Sequence, residues 1–253
     1  MKVLATYNIK GGVGKTSSAV NLAYLAARFG ARTLICDLDP QGAASYCFRI
    51  KPRVKGGGKR LIRGAGSLDR SVRETDYEGL DLLPADFSYR HLDLVLDGPK
   101  HPRRLARRLR SLADRYDYLF LDCAPSISLV SEAIFAAADA LLVPTIPTTL
   151  SARTLKQLAR HLRRQETDVR VLPFYCMVDR RRALHRKMCD AVRTGPFPML
   201  ETCIPASSLV EQMSARRAPL ATFAPNSAAA IAYARLWAEV GIQLAGVAAV
   251  SSA

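Results

Sequence analysis

Two lysines bracket a glycine-rich stretch near the start of the chain, Asn8-Ile9-Lys10-Gly11-Gly12-Val13-Gly14-Lys15-Thr16-Ser17. Glycines let consecutive backbone N–H groups turn inward around an anion, and a helix start directly behind them adds unpaired donors and a positive dipole end. At this spacing Lys15 can reach the β- and γ-phosphates of a nucleotide, and the Thr16 hydroxyl can ligate Mg²⁺. Two carboxylates further along suit the same chemistry. Asp39 lies in Asp37-Leu38-Asp39-Pro40-Gln41-Gly42, and Asp122 closes the apolar run Tyr118-Leu119-Phe120-Leu121. Mg²⁺ is a hard cation that prefers oxygen and keeps part of its hydration shell, so Asp122 is expected to hold it through water.

These residues need elements to position them. Val3 to Tyr7 reads as a short buried strand before the loop, and the apolar face of Ser17 to Phe29 reads as a helix after it, stopped by Gly30. Thr33 to Cys36 predicts a second strand ending at Asp37, on the sheet edge where open α/β proteins bind ligands. Leu80 to Leu83 predicts a brief strand, 102–114 a helix with a Leu105, Leu109 and Leu112 stripe, and 118–122 a buried strand. Ala140 to Val143 predicts a strand stopped at Pro144, followed by a helix over 151–164 and a strand over 170–178. Helices are expected after Lys187 toward Arg193, over 207–217 and from Ala228 to Leu244. The alternation predicts an α/β fold: one doubly wound, mostly parallel sheet with helices on both faces, forming a single domain over 1–253. Residues 51–66 hold six cations, five glycines and no acid, and predict a flexible basic insertion that is no part of the core.

Hydrophobic content of 49% with 23% charged residues is that of a soluble globular protein, and no stretch approaches a membrane span. The first strand begins at once, leaving no room for a signal peptide, so a cytoplasmic location is expected. The six cysteines show no C-x-x-C and no metal-ligand spacing with the four histidines, which predicts structural thiols. Net charge is the outlier. The 37 Lys and Arg against 22 Asp and Glu give +15, which implies a polyanionic partner, nucleic acid or an anionic membrane.

The loop resembles the deviant Walker A motif, K-G-G-x-G-K-[ST], of the ParA/MinD ATPases. An ordinary P-loop wants glycine where Ile9 stands, and has no lysine at position 10. Asp37 to Gly42, the Walker B strand ending at Asp122, Val178 to Arg186 and the Ile204-Pro205 region match the family in order, and the match leans to the ParA side. It resembles the short ParA form, in which no DNA-binding domain precedes the loop. The resemblance implies a deviant-Walker P-loop fold, weak ATP hydrolysis with ATP and Mg²⁺, and a homodimer that sandwiches two nucleotides. It implies a nucleotide cradle of Gly11, Gly12, Val13, Gly14, Lys15, Thr16 and Ser17, joined by Met177, Asp179, Ile204 and Pro205. Thr16, Asp39 and Asp122 would serve the metal, and Asp39 would also orient the attacking water. Lys10 would cross to the partner's nucleotide; two Mg-ATP molecules held face to face keep excess negative charge, so an added cation from each subunit offsets repulsion.

The resemblance also implies a polyanion, non-specific double-stranded DNA, with Arg180, Arg181, Arg182, Arg186, Lys187, Arg193, Arg216 and Arg217 as the expected contacts and the nucleoid as the place of action. A ParB-like or cargo-adaptor protein is the expected stimulating partner. Departures are Ile9, where these loops commonly carry Gln, and Ala124, where Pro is common. Two alternatives stand beside this one. A MinD-like membrane ATPase would end in a basic amphipathic helix, but Gly241 to Ala253 holds no Lys or Arg. A metabolic or redox P-loop enzyme with a bridging cluster would need cysteines placed otherwise than Cys123, beside Asp122.

Overall fold

The computed structural model describes residues 1–64, 68–96, 101–191 and 195–245. In chain order the elements are β1 (Lys2–Thr6), α1 (Lys15–Arg28), β2 (Thr33–Asp37), α2 (Ala43–Cys47), α3 (Gly57–Arg63), β3 (Arg73–Glu74), β4 (Leu80–Leu83), α4 (Leu92–Leu96) and α5 (His101–Arg110). There follow β5 (Tyr118–Asp122), α6 (Leu129–Ala137), β6 (Ala140–Thr145), α7 (Thr149–Arg164), β7 (Arg170–Tyr175), α8 (Ala183–Asp190), α9 (Ser208–Arg216), α10 (Leu220–Phe223) and α11 (Ala228–Ala245).

The strands form one sheet in the order β3-β4-β2-β5-β1-β6-β7, and every pairing is parallel except the short β3–β4 edge. Apolar residues cover both faces. Leu34, Leu119, Leu121 and Leu141 face one layer with α3 to α7, while Leu4, Ile35, Phe120 and Phe174 face the other with α1 and α11. Burial on both sides is why β1, β5 and β6 read as nearly continuous apolar runs. Among the described residues, no helix is long and apolar enough to cross a membrane.

The doubly wound expectation therefore matches the structure, with two differences of physical interest. Pro144 does not stop β6: the strand continues through Pro144↔Phe174 to Thr145↔Tyr175. Proline lacks a donor, but β1 has already ended beside it, and the Pro144 carbonyl accepts instead from Asn8 Nδ2 at 2.8 Å.

The second difference concerns the described part of 51–66, residues 51–64, which contributes to the core where no part in it was expected. Residues 57–63 are helical, and Val54, Leu61 and Ile62 are buried in the main core. The glycine run answers to close approach as well as freedom. A Cβ on Gly57 (φ +52) would lie 2.3 Å from Ser88 Oγ, and one on Gly58 would lie 2.7 Å from Leu92. Ser88 Oγ in turn accepts the Gly58 amide at 2.8 Å. Small residues let α3 sit directly on the segment after β4.

Candidate functional site

Parallel pairing sets three side chains in a row. The register aligns Thr6 with Asp122 and Asp122 with Asp37, so the last residues of β1, β5 and β2 stand side by side at the C-terminal edge of the sheet. The chain leaves β1 into the glycine loop over this row. Gly14, at φ +90, caps α1, and a Cβ there would lie 2.9 Å from Cys176 Sγ. Only glycine allows both the left-handed backbone and that closeness, so the loop seats against the end of β7. Asn8 braces its other end by accepting the Lys10 amide at 2.9 Å.

Charges here are buried. Lys15 is only 7% exposed, and its ammonium donates to the Lys10 carbonyl at 3.2 Å. Burial lowers its pKa, while Asp122, Cys123 and Asp39 oppose the shift. Asp122 is fully buried, and its pKa is pushed well above the usual carboxylate range, first by desolvation and then by Asp37. Thr16 and Lys15 favour its ionised form, yet Asp122 Oδ2 has no hydrogen-bond partner among the described residues, and Oδ1 meets the Thr6 hydroxyl at 3.5 Å. Asp37 is also buried, but satisfied: its Oδ2 accepts from the Ser45 amide at 2.8 Å and hydroxyl at 2.7 Å, and its Oδ1 from the Asp39 amide at 3.3 Å. Burial nonetheless raises its pKa to about 6. Asp39 sits further out, half-buried, accepting the Gln41 amide at 2.9 Å.

An orphaned carboxylate oxygen and a buried ammonium beside the open N-terminus of a helix fit a phosphorylated ligand with its cation. Among the described residues no three His, Cys, Asp or Glu side chains could hold a metal between them. A cation would therefore need Thr16, Asp122 and phosphate oxygens together, the donor set that Mg²⁺ accepts.

The structure brings most of the expected site together. Gly11, Gly12, Val13, Lys15, Thr16 and Ser17 form the loop and the first turn of α1. The segments of Met177, Asp179, Ile204 and Pro205 meet through a parallel bridge, Val178↔Pro205, with the Val178 amide donating to the Ile204 carbonyl at 3.0 Å. Because Cys176 touches Gly14, this bridge lies beside the loop. Met177 takes a left-handed φ of 57, which turns the chain at the end of β7.

The expected polyanion contacts divide. Arg180, Arg181, Arg182, Arg186 and Lys187 are exposed on the turn and first part of α8, directly after Asp179. Their backbone is fixed from within: buried His185 accepts the Asp179 amide through Nδ1 at 3.1 Å, and Arg186 donates to the Arg180 and Arg181 carbonyls at 2.7 and 3.0 Å. Asp179 pairs with Arg181 at 3.0 Å. Arg216 covers the Phe223 ring, while Arg217 stacks on Tyr46 and donates to its carbonyl at 3.0 Å, tying α9 to α2. Arg193 lies outside the described residues. Sequence reasoning missed Asn8, Ser45 and Cys176; only Asn8, touching the loop, carried a local signal.

This sheet and loop define a P-loop nucleotide-binding α/β protein. A family model described as an AAA domain matches residues 1–171. An uncharacterised Mycobacterium tuberculosis protein is 32% identical over 251 residues, covering 94% of this chain and 78% of that one. The sporulation initiation inhibitor protein Soj of Bacillus subtilis is 29% identical over 248 residues, covering 94% and 98%. Among solved structures, cobyrinic acid a,c-diamide synthase of Mycobacterium smegmatis with bound ADP and magnesium superposes with TM-score 0.78 at 25% identity, covering 94% and 92%. A plasmid partition protein of Borrelia burgdorferi bound to AMPPNP gives TM-score 0.82 at 20% identity over 96% and 98%, a likeness of fold. The chain belongs to the ParA/MinD family of P-loop ATPases.

Proposed function

We propose that the chain is a positioning ATPase: it dimerises around Mg-ATP, binds duplex DNA without sequence preference most tightly in that state, and loosens its hold on hydrolysis under an adaptor's stimulus. The observation that carries the reading is the burial of Lys15 and Asp122 together at the loop mouth, close enough to feel each other's charge, with one Asp122 oxygen left without a partner among the described residues. The loop amides from Gly11 to Ser17 would cradle the phosphates, and Lys15 would neutralise them. Thr16 and Asp122 would hold Mg²⁺, with Asp39 at its outer edge. The cation supplies charge stabilisation to the phosphates when bound. Asp39, which accepts the Gln41 amide and lies outward from Asp37, would orient water, which phosphoryl transfer needs more than covalent help. Lys10 lies half-buried at the loop's rim, its amide fixed by Asn8, and would serve the partner subunit's nucleotide. Met177, Asp179, Ile204 and Pro205 would flank the base and ribose.

A chromosome partitioning protein ParA of Caulobacter vibrioides, 29% identical over 256 residues, supports the cellular role by name, and the exposed arginine turn beside Asp179 supports DNA as the track. Dimerisation doubles that cationic face on one footprint, so nucleotide gates binding by avidity. Anisotropy of a labelled duplex tests this. ATP should tighten wild-type binding, with a log–log salt slope of about −5 if ~6 phosphates are neutralised. Lys15→Ala should lose the ATP-linked increment. A Lys15→Ala chain that keeps the full increment contradicts the reading.

A further inference from the structure

Arginine is concentrated at a place the loop chemistry does not use. Helix α5 carries Arg103, Arg104, Arg107, Arg108 and Arg110 in ten residues with no acid. The segment 51–64, which contains α3, carries six cations and again no acid. The two helices meet. Arg108 Nε donates to the Leu61 carbonyl at 3.3 Å, and Arg63 Nε and Arg104 Nη1 both reach the Val95 carbonyl, at 2.8 and 3.5 Å. Two guanidiniums thus converge on one backbone oxygen, at the wall of a cleft of about 620 Å³.

The charges there crowd one another. Burial, and then the neighbouring Arg60 charge, push the Arg108 guanidinium below its ordinary pKa, and Arg60 Nε is buried without a hydrogen-bond partner among the described residues. At the N-terminal end of α3 a second cavity of about 780 Å³ has Arg53, Lys55, Lys59 and Arg73 on its walls. Asp86, the one acid among its described lining residues, is already engaged by the Val54 amide at 2.9 Å and the Ser88 hydroxyl at 2.6 Å. Arg103, Arg107, Arg110, Lys55 and Lys59 are exposed, so the tract runs out of both cavities onto the surface.

We propose that α3 and α5 form a second nucleic-acid site, which grips the phosphate backbone of duplex DNA without nucleotide and without reading bases. Guanidinium forks match phosphate in geometry and are weakly hydrated, so several together favour phosphate over other anions. A single small anion would occupy one cleft; a tract spanning two cavities and the ridge between them fits a polymer. The site stands apart from the arginine turn of α8. That turn follows β7, one edge of the sheet, whereas α3 follows β2 and packs on α4 and α5 toward the other side. The proposal does not depend on the ATP-gated reading.

The test uses the full chain carrying Lys15→Ala, which removes the ATP-linked increment, with and without Arg103→Ala, Arg107→Ala and Arg110→Ala. All three arginines are exposed, so the fold should hold, and circular dichroism checks that. Lys15→Ala alone should retain salt-sensitive binding to a labelled duplex. Adding the triple should weaken it roughly tenfold at low salt and flatten the log–log slope by about 2–3, close to one unit for each phosphate no longer neutralised. On the otherwise wild-type chain the triple should leave ATP turnover in the absence of DNA unchanged. Equal duplex affinity with and without the three arginines overturns the proposal. So does loss of binding to phosphatidylglycerol vesicles with duplex binding untouched, which would assign the tract to a membrane. If the wild-type chain shows no ATP-linked increment while the triple still weakens nucleotide-free binding, the gated reading fails and this one is supported.

Discussion

Asp37 and Asp122 are register partners on neighbouring strands, both buried, yet their surroundings divide their roles. Ser45 gives Asp37 two short hydrogen bonds, whereas one Asp122 oxygen has no hydrogen-bond partner among the described residues. Asp37 is the fixed member that anchors the turn carrying Asp39; Asp122 is the open one. Ser45→Ala should therefore cost about 1–3 kcal/mol in urea unfolding, because a buried carboxylate loses a charge-assisted bond. The Ser45 hydroxyl also accepts the Ala85 amide at 2.9 Å, so the loss reaches the end of β4. Gly14→Ala should destabilise by a further mechanism, a left-handed φ combined with the Cys176 contact, on the order of 1–3 kcal/mol by thermal melting. Burial pushes the Cys47 thiol to about 11 and the Cys176 thiol to about 12. At neutral pH thiolate is scarce at both, so native alkylation by iodoacetamide should be far slower than in urea. At this scale Lys15, Thr16 and Asp122 were legible because loop and strand carry their own spacing. Ser45 and Cys176 were not, since each acts only through contact with a distant segment.

Among elements, α3 separates composition from packing. Three consecutive glycines amid six cations read as a loop, but Leu61 and Ile62 are the apolar pair that the helix buries. Leu61→Ala should cost about 2–5 kcal/mol, as truncation in a packed core does. A mobile surface loop would register under about 0.5 kcal/mol in the same urea titration. The arginines of α8 and α9 differ in a similar way. Arg217 holds Tyr46 by stacking and a carbonyl bond, so Arg217→Ala should lower stability by about 1–2 kcal/mol as well as any DNA affinity. Exposed Arg182 should change DNA affinity alone. The strands and long helices were readable because apolar period and length agree. Pro144 misled because its tolerance depends on where the neighbouring strand ends, which no single segment records.

For the whole molecule, the +15 charge and the nucleotide site are two halves of one device if a sandwich dimer aligns the basic turns. The α/β class and the order of motifs followed from sequence; which arginines would face a polyanion did not, because surface charge has no period. Asp39→Ala should hydrolyse ATP more slowly than wild type, hold the assembled state longest and so bind DNA more persistently, as paired ATPase and duplex-dissociation assays would read. The most direct measurement is the solution mass of Asp39→Ala by light scattering, with and without Mg-ATP, beside the same chain carrying Lys10→Glu. The account predicts twice the monomer mass only with Mg-ATP, reverting to monomer with Lys10→Glu. A chain that binds Mg-ATP yet stays monomeric, or a dimer indifferent to charge at position 10, contradicts it.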